Sequence, residues 1–327
     1  MRQLEEWQHG NWIVDYPVLP ALTVNGVLCS GAQVCYSQAE SRWQWDENRG
    51  WIMNDIRMIA LDIDGTILTH EKKLTVRTKK AIDRAIAEQL SVVLVTGRPL
   101  HGIPEKLLNI PELRYVITSN GAVTTDLKMQ KVLRMATLDA QTAISILTIP
   151  RSYDLIYAVF LNGIGYIEME SFMRHMRLVN GTPLEPYIRK SRRIVDDLDT
   201  VIQEALDGVE NIWFLAHDRE ERDRLSREIQ DGWPVRSAIT GRVDVEIGNL
   251  QADKGLAVSA LADQLGITKE QILAIGDSGN DLGMLQNAGI AVAMGNADEE
   301  VMAAADIVTA SNEEDGVAVI LERLLWK

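Results

Sequence analysis

Cysteine is scarce in this 327-residue sequence: it occurs only as Cys29 and Cys35, both within the first 55 residues. A disulfide between them would close a very small loop, and no set of metal ligands accompanies them. Histidine is scarce as well, and its copies lack the spacing of a metal site or a catalytic triad: His9, His70, His101, His175 and His217. We therefore expect free thiols, no disulfide framework, and core or surface roles for the histidines.

Positive charge is also in short supply, because 33 Lys and Arg residues stand against 47 Asp and Glu residues, for a formal net charge of -14. This balance argues against a nucleic-acid or anionic-membrane partner, since both select for basic patches. It is compatible with a small anionic substrate, which needs only a local positive field. No apolar run approaches the roughly 20 residues of a membrane span, and the N-terminal residues do not have the pattern of a signal peptide. We expect a cytoplasmic protein, and the sequence predicts no oligomeric state.

The first 55 residues differ in composition from the rest of the chain. They contain both cysteines and five of the eight tryptophans. The Asn25-Gly26 pair, set in an apolar stretch, favours a short hairpin. Two interpretations are open: a small added β element, or an upstream extension ahead of a functional chain that starts near Met53 or Met58. We assign residues 1–55 no chemistry.

From residue 58 onward, short apolar runs rich in Val and Ile alternate with helical patterns. Runs of this length and composition are typical of strands covered on both faces of a parallel sheet. The predicted strands lie in 58–64, 91–97, 114–122, 272–277 and 290–295, and the predicted helices in 75–89, 254–266 and 281–289. The alternation predicts an α/β fold with a doubly wound parallel sheet.

The pattern changes between residues 135 and 242. The Asn162-Gly163 pair predicts a hairpin there, and two amphipathic helix patterns with acidic starts and glycine ends follow, mixed with strand-like runs. We interpret this segment as an α+β cap domain inserted into the core. The predicted boundaries are 1–55 for the N-terminal extension, 56–134 and 243–327 for the core, and 135–242 for the cap.

Polar residues stand where the predicted strands end, at the edge where open parallel sheets bind their ligands. After successive runs come Asp62 and Asp64, then Thr96, Gly97 and Arg98, then Asn120 and Gly121, then Asp277, Ser278, Asn280 and Asp281, while Lys254 opens a predicted helix. These residues supply carboxylates for a metal ion, a hydroxyl and backbone amides for a phosphate, and an ammonium to balance charge. Their convergence indicates phosphoryl chemistry.

The order of these motifs resembles the haloacid dehalogenase-like hydrolase superfamily. The motifs are DxDGT at 62–66, an apolar run ending in Thr-Gly-Arg, a lysine, and GDxxND at 276–281. The inserted α+β segment is similar to the cap of the Cof-like sugar-phosphate phosphatase branch. The resemblance covers residues from about 57 to 327 and leaves the N-terminal segment unexplained. It implies a Rossmann-like core with an inserted cap.

The resemblance implies catalytic roles for Asp62, Asp64 and Lys254. Asp62 would attack phosphorus and form an aspartyl-phosphate, as carboxylate nucleophiles do. Asp64 would protonate the leaving alkoxide and then accept a proton from the water that hydrolyses the intermediate. Lys254 would neutralise charge on Asp62 and on the transferring phosphoryl group.

The same resemblance implies Mg²⁺ as cofactor, since carboxylate, carbonyl and water oxygens suit that ion. The expected metal residues are Asp62, Asp64 through its carbonyl, Asp277, Ser278 and Asp281. The expected phosphate- and substrate-binding residues are Ile63, Thr96, Gly97, Arg98, Asn120, Gly121, Lys254 and Asn280. Glycine allows close approach of backbone amides to an oxyanion.

Structural interpretations of four of these residues are also open. Asp277 could cap a helix, and Thr96 could cap a strand-to-helix turn. Arg98 precedes a proline and could pack outward, and a lysine at a helix start, such as Lys254, is usually exposed to solvent.

The expected function is a Mg²⁺-dependent phosphatase for small phosphate monoesters, with sugar phosphates as the branch expectation. One alternative is a phosphomutase, which shares the aspartyl-phosphate but needs a second phosphate site. Another is a sugar-phosphate sensor without catalysis, which would not need an acid at Asp64. A dinucleotide-binding oxidoreductase is disfavoured, because no Gly-x-Gly-x-x-Gly follows the first strand.

Overall fold

The computed structural model describes residues 43–46, 50–53, 56–239 and 241–326. The predicted hairpin at Asn25-Gly26 and both cysteines lie outside these residues. Within the described ranges, none of the helices combines the length and the apolar character that a membrane crossing requires.

The strands of the described residues are short and follow one another along the whole chain. In chain order they are β1 Trp43–Asp46, β2 Gly50–Met53, β3 Met58–Leu61, β4 Ser91–Val95, β5 Tyr115–Thr118, β6 Val123–Asp126, β7 Lys131–Met135, β8 Ile156–Leu161, β9 Ile164–Glu168, β10 Arg192–Val195, β11 Asn211–Leu215, β12 Val235–Ile239, β13 Asp244–Asn249, β14 Ile272–Gly276, β15 Ile290–Ala293 and β16 Ile307–Val308.

Helices separate most of these strands. They are α1 Val76–Ala87, α2 Glu105–Leu108, α3 Ala140–Ser152, α4 Met169–Val179, α5 Glu185–Ser191, α6 Leu198–Gln203, α7 Arg219–Gly232, α8 Lys254–Leu265, α9 Leu282–Gln286, α10 Glu299–Ala304 and α11 Gly316–Leu325.

The larger sheet has eight strands in the order β16-β15-β14-β3-β4-β5-β6-β7. The strands from β16 to β5 are parallel, and the edge strands β6 and β7 are antiparallel. Its central strands are buried along their length, as the run Met58–Leu61 shows, because helices cover both faces of such a sheet. The predicted α/β fold class with a parallel-sheet core is confirmed.

The helix before the β4 strand and the helix before β14 begin with side-chain caps. The Thr75 side chain accepts a hydrogen bond from the Thr78 amide at the start of α1, and Asp253 accepts one from the Leu256 amide at the start of α8. A cap satisfies a backbone donor that has no partner within the helix. The cap of α8 fixes where this helix starts, and its first residue is Lys254.

The smaller sheet has six strands in the order β10-β9-β8-β11-β13-β12. Strands β8 and β9 form the predicted hairpin, with left-handed backbone at Asn162 and Gly163. One face packs on α3, α6 and α7 through a core that includes Leu147, Ile202 and Leu225. The inserted cap domain was predicted to end at residue 242. Strand β13 lies beyond that residue and pairs with β11 and β12. That boundary was wrong, because alternation along β13 does not show which sheet it joins.

Candidate active site

A buried group of charges lies where β3 ends and α8 begins. Asp62 follows β3 directly, and its amide donates to the Ile275 carbonyl, which continues the pairing with β14. The Lys254 Nζ atom donates to Asp62 Oδ1 at 2.7 Å and to Asp281 Oδ1 at 2.6 Å. Lys254 is 1% exposed, Asp281 0% and Asp62 4%. The alternative of a solvent-exposed Lys254 is therefore wrong.

Two glycines allow the start of α8 to pack closely against its neighbours. Gly121 has φ +93°, and a Cβ atom there would lie 2.3 Å from the Asp253 carbonyl oxygen. At Gly255 a Cβ atom would lie 2.1 Å from the Gly283 carbonyl oxygen. Such distances exclude any side chain. Gly121, predicted to bind substrate, thus lies against the backbone that carries Lys254.

Asp277 lies beside Asp62 across the ends of β14 and β3. Its Oδ1 atom accepts from Thr66 Oγ1 at 3.0 Å, and its Oδ2 atom accepts from Ser278 Oγ at 3.2 Å. Gly65 has φ +83°, and a Cβ atom there would lie 2.2 Å from Asp277 Oδ2. The 3₁₀ turn Gly279–Asp281, which follows β14, is capped by Ser278, so Asp277 does not serve as that cap.

Asp281 binds both the backbone at Asp277 and the Lys254 ammonium. Its Oδ2 atom accepts from the amides of Asp277 and Ser278 at 3.0 and 3.1 Å, and its Oδ1 atom accepts from Lys254. Ligand atoms of Asp62, Asp277 and Asp281 all lie within 4.8 Å of one another. Three carboxylates against one ammonium leave an excess of two negative charges, which a divalent cation would balance. Hard oxygen donors of this kind fit Mg²⁺.

Burial makes these carboxylates hard to ionise without a cation. It raises the pKa of Asp62 well above its ordinary value, Lys254 opposes the rise, and Asp281 and Asp277 add to it. Burial, with the charge of Asp281, raises the pKa of Asp277 to about 6. Burial alone would lower the pKa of Lys254, but Asp281 and Asp62 raise it above its ordinary value. Lys254 therefore stays an ammonium at neutral pH.

The Asp64 carboxylate is bound by two cationic side chains. Arg98 donates from Nε to Oδ2 at 2.5 Å and from Nη2 to Oδ1 at 2.8 Å, and Lys72 Nζ donates to Oδ1 at 2.8 Å. Burial would raise the pKa of Asp64, but hydrogen bonds and charge from Arg98 and Lys72 hold it well below the usual range. The sequence pattern did not identify Lys72, because nothing in its spacing from the DxDGT motif marks it.

Arg98 connects this site to the smaller sheet. It is 8% exposed, so the alternative in which it packs outward is wrong. Its Nη1 atom donates to the Gly102 carbonyl at 2.9 Å, and its Cζ atom lies 4.4 Å from the ring centroid of Tyr187 on α5. The guanidinium therefore touches both Asp64 and a residue of the inserted segment.

The predicted phosphate loop lies at the ends of β3 and β4. The Thr96 Oγ1 atom accepts from the Arg98 amide at 3.1 Å. The helical turn that follows begins at Leu100 with Pro99 as its cap residue, so Thr96 does not cap it. A Cβ atom at Gly97 would lie 3.0 Å from Asn120 Oδ1. Ile63 is fully buried between the two aspartates. These residues surround the same edge of the sheet as Asp62.

Asn120 joins the core to β13. It has a left-handed backbone with φ 54°, its Oδ1 atom accepts from Asn280 Nδ2 at 3.0 Å, and its Nδ2 atom donates to Glu246 Oε2 at 2.5 Å. Asn211 Nδ2 donates to the same Glu246 oxygen at 3.1 Å. The sequence pattern did not identify Glu246 and Asn211, because they come from the insert and meet the motifs only in the folded chain.

Residues 59–321 match the family model of the haloacid dehalogenase-like hydrolases. The match covers most of the chain, including every site residue described above. The chain belongs to this family, so the predicted family membership is confirmed.

Individual proteins and structures agree with this assignment. YxeH of Bacillus subtilis (strain 168) is 32% identical over 280 residues, which cover 82% of this chain and 98% of YxeH. The 5-amino-6-(5-phospho-D-ribitylamino)uracil phosphatase YwtE of the same organism is 29% identical over 293 residues, covering 83% and 98%. A solved structure of a haloacid dehalogenase-like hydrolase from B. subtilis superposes with a TM-score of 0.72 at 28% identity, covering 82% and 100%. The predicted enzyme class, a phosphoric monoester hydrolase, is confirmed.

Proposed function

We propose that the protein is a Mg²⁺-dependent phosphatase that hydrolyses small phosphate monoesters, sugar phosphates in particular, through an aspartyl-phosphate on Asp62. The observation that carries this proposal is the buried group in which Asp62 lies 2.7 Å from Lys254 and beside Asp277 and Asp281. An unpaired buried carboxylate is costly, and this arrangement gives it an ammonium partner and room for a cation.

In the first half of the reaction, an oxygen of Asp62 attacks phosphorus and the bond to the leaving oxygen breaks. Asp64 gives the leaving oxygen a proton, so that an alcohol departs. In the second half a water molecule attacks phosphorus, Asp64 accepts its proton, and the bond to Asp62 breaks. The first half begins from protonated Asp64, and the proton taken from water in the second half restores that form. Arg98 and Lys72 stabilise the carboxylate form of Asp64, which is the form that the second half requires.

Asp62, the Asp64 carbonyl and Asp277 would hold the metal ion. When bound, Mg²⁺ would offset the negative charge that the phosphate brings to the carboxylates. Asp281 orients Asp277 through the backbone, and Thr66 fixes the rotamer of Asp277. Lys254 contributes a positive charge beside Asp62 and Asp281.

We assign the inserted sheet and its helices the role of a cap over this site. The contacts that join it to the core include Asn120 with Glu246, Arg98 with Tyr187, and Ser119 Oγ with Glu210 Oε2 at 2.5 Å. A cap of this kind excludes bulk water and shapes the space around the leaving group. We place its end after β13, and its start at residue 135 stays a prediction.

Release of inorganic phosphate from p-nitrophenyl phosphate tests the proposed function. We expect turnover with Mg²⁺ and its loss in excess EDTA, with recovery when Mg²⁺ is restored, because the carboxylate excess leaves Asp62 poorly ionised without a cation. Phosphate release that is equally fast in EDTA would contradict the metal assignment. No release by folded protein would contradict the proposed function.

The change Asp64→Ala tests the acid–base assignment. We expect hydrolysis of an alkyl phosphate to slow by roughly 10²–10⁴-fold, the usual contribution of general acid–base catalysis. The rate at which the bond to the leaving oxygen breaks should fall less for p-nitrophenyl phosphate, because its leaving group needs no proton. The rate of the initial burst of p-nitrophenol measures this step. The exposed Asp207→Ala variant is the control. Equal losses of that rate for both esters would contradict a role for Asp64 in protonating the leaving group.

A further inference from the structure

One row of residues crosses the face of the cap sheet that meets the core. It runs through directly paired positions of four neighbouring strands, which are Arg192, Gly165, Phe160 and Asn211. Asn211, at one end, shares the Glu246 carboxylate with Asn120 of the core. The row therefore lies on the side of the sheet that faces the active site.

Arg192, at the other end of the row, lies flat on this surface. A Cβ atom at Gly165 would lie 2.7 Å from Arg192 Cδ, so the side chain crosses the strand where there is no neighbour to block it. Its Cζ atom lies 4.4 Å from the Phe160 ring centroid and 5.7 Å from the centroids of Tyr187 and Trp213. The guanidinium is thus placed among three aromatic rings.

The hydrogen bonds of Arg192 are incomplete. Nη1 donates to Ser191 Oγ at 3.0 Å, whereas Nε is buried and has no hydrogen-bond partner. Among the described residues no carboxylate forms an ion pair with this guanidinium. A guanidinium carries five donors and binds carboxylate or phosphate through two of them at once. A cation that is partly desolvated and lacks an anion is costly unless a ligand supplies one.

The Tyr187 ring lies between Arg192 and Arg98, the arginine that binds Asp64. Tyr187 lies 4.4 Å from Arg98 Cζ and 5.7 Å from Arg192 Cζ, measured to its ring centroid. Arg98 in turn binds Asp64, the residue assigned to protonate the leaving oxygen. A leaving group that departs next to Asp64 would therefore extend toward Arg192.

The two ends of this row differ in charge. His175 is buried and stacks on Trp213 with ring centroids 4.8 Å apart. Burial and the charge of Arg192 lower the pKa of His175 to about 4, so the imidazole is neutral at pH 7. At the Asn211 end, the Glu246 carboxylate would repel an anion. The two ends thus differ in the groups they would accept.

We propose that Arg192 binds a second anionic group on the leaving group, a phosphate or a carboxylate, and that the enzyme prefers phosphate esters that carry one. This inference rests on the proposed function and adds the substrate class to it. Arg192 is a specificity-determining residue in this assignment, since it contacts the part of the substrate that does not react.

Steady-state kinetics on three esters test the assignment: fructose 1,6-bisphosphate, 6-phosphogluconate and glucose 6-phosphate. The leaving group of the first carries a second phosphate, that of the second carries a carboxylate, and that of the third is neutral. We expect a higher kcat/KM for one or both anionic esters than for glucose 6-phosphate. Arg192→Gln should reduce that ratio by about 10- to 100-fold, the factor expected for a lost hydrogen bond to a charged group. Whichever anionic ester loses its advantage identifies the anion.

Two further variants separate recognition from folding. Arg192→Lys keeps the positive charge and should retain part of the preference. Arg193→Gln changes the adjacent, exposed arginine of the same strand and should leave the ratio unchanged. Far-UV circular dichroism and the unfolding midpoint check that each variant folds. Equal kcat/KM for all three esters in the wild type, or the same fractional loss for each in Arg192→Gln, would overturn the proposal.

Binding measurements keep the inference separate from the proposed function. If none of the three esters is hydrolysed, the proposed function fails, and titration calorimetry with 6-phosphogluconate decides on Arg192 alone. A dissociation constant about tenfold or more higher in Arg192→Gln than in the wild type would support the anion site. Equal constants, or no binding to the wild type, would overturn it.

Discussion

Replacing Asp62 with Asn is expected to abolish turnover, with a loss of at least about 10⁴-fold in kcat, as for other covalent nucleophiles. The amide keeps the shape of the carboxylate and can still accept from Lys254, so the geometry of the site is retained. What is lost is the oxygen that forms the bond to phosphorus. Phosphate release from p-nitrophenyl phosphate measures the effect, with the exposed Asp263→Asn variant of α8 as the control.

The stability of Asp62→Asn should not fall with its activity. The pKa of Asp62 is raised in the folded protein, so its ionised form costs free energy of folding at any pH above the ordinary carboxyl pKa. A neutral side chain removes this cost in the metal-free protein. We therefore expect an equal or larger free energy of unfolding at pH 7 in urea titrations with EDTA. Substantial residual turnover in a folded variant would contradict the role of Asp62 as nucleophile.

Five of the six parallel core strands were predictable from sequence because each of them carries the signal alone. The sixth, β16, has two residues and was not predicted. Runs such as Met58–Leu61 and Ser91–Val95 are buried on both faces, so apolar side chains occupy nearly every position. Asp62 follows β3 directly, and Asp277 follows β14 directly. Since parallel strands end at one edge, residues far apart in sequence were expected to converge. Asp62, Asp277 and Asp281 do so within 4.8 Å.

The partners of Asp64 could not be predicted in the same way. Lys72 reaches Asp64 because the loop after β3 folds back, and its sequence position carries no periodic signal. Arg98 could be placed at the end of β4, but its direction depends on Tyr187 in the insert. Side-chain direction at the end of a strand is set by tertiary neighbours, which a single sequence does not contain.

The residues at the contact between the cap domain and the core could not be predicted from the sequence either. The alternating pattern of β13 fits a strand in either sheet, and only its pairing with β11 and β12 assigns it to the cap. That pairing decides where Glu246 lies. A buried polar residue such as Asn211 has no motif around it, so the crevice that it lines with Asn120 emerges only from the assembled sheets.

Replacing Lys254 with Met should destabilise the metal-free protein strongly. The ammonium is 1% exposed and binds both Asp62 and Asp281. Removing it leaves two buried carboxylates without a counter-charge, and breaking a buried pair in this way costs about 3–5 kcal/mol. We expect a loss of this size in the free energy of unfolding at pH 7 in EDTA, measured by urea titration. Lys80→Met, an exposed change on α1, is the control and should alter stability by less than about 0.5 kcal/mol.

The response of Lys254→Met to Mg²⁺ and to pH identifies the cause of the loss. A divalent cation at the carboxylates would replace part of the missing positive charge, so Mg²⁺ should restore more stability to the variant than it adds to the wild type. Acid should act in the same direction. The pKa of Asp62 is already raised in the wild type, where Lys254 opposes the rise. Without Lys254 this pKa is higher still, so Asp62 becomes protonated and loses its charge as the pH falls below it. The destabilisation should therefore be largest at neutral pH and shrink toward pH 5. A loss that is independent of both Mg²⁺ and pH would indicate a packing defect and would contradict the charge balance on which the proposed catalytic site depends.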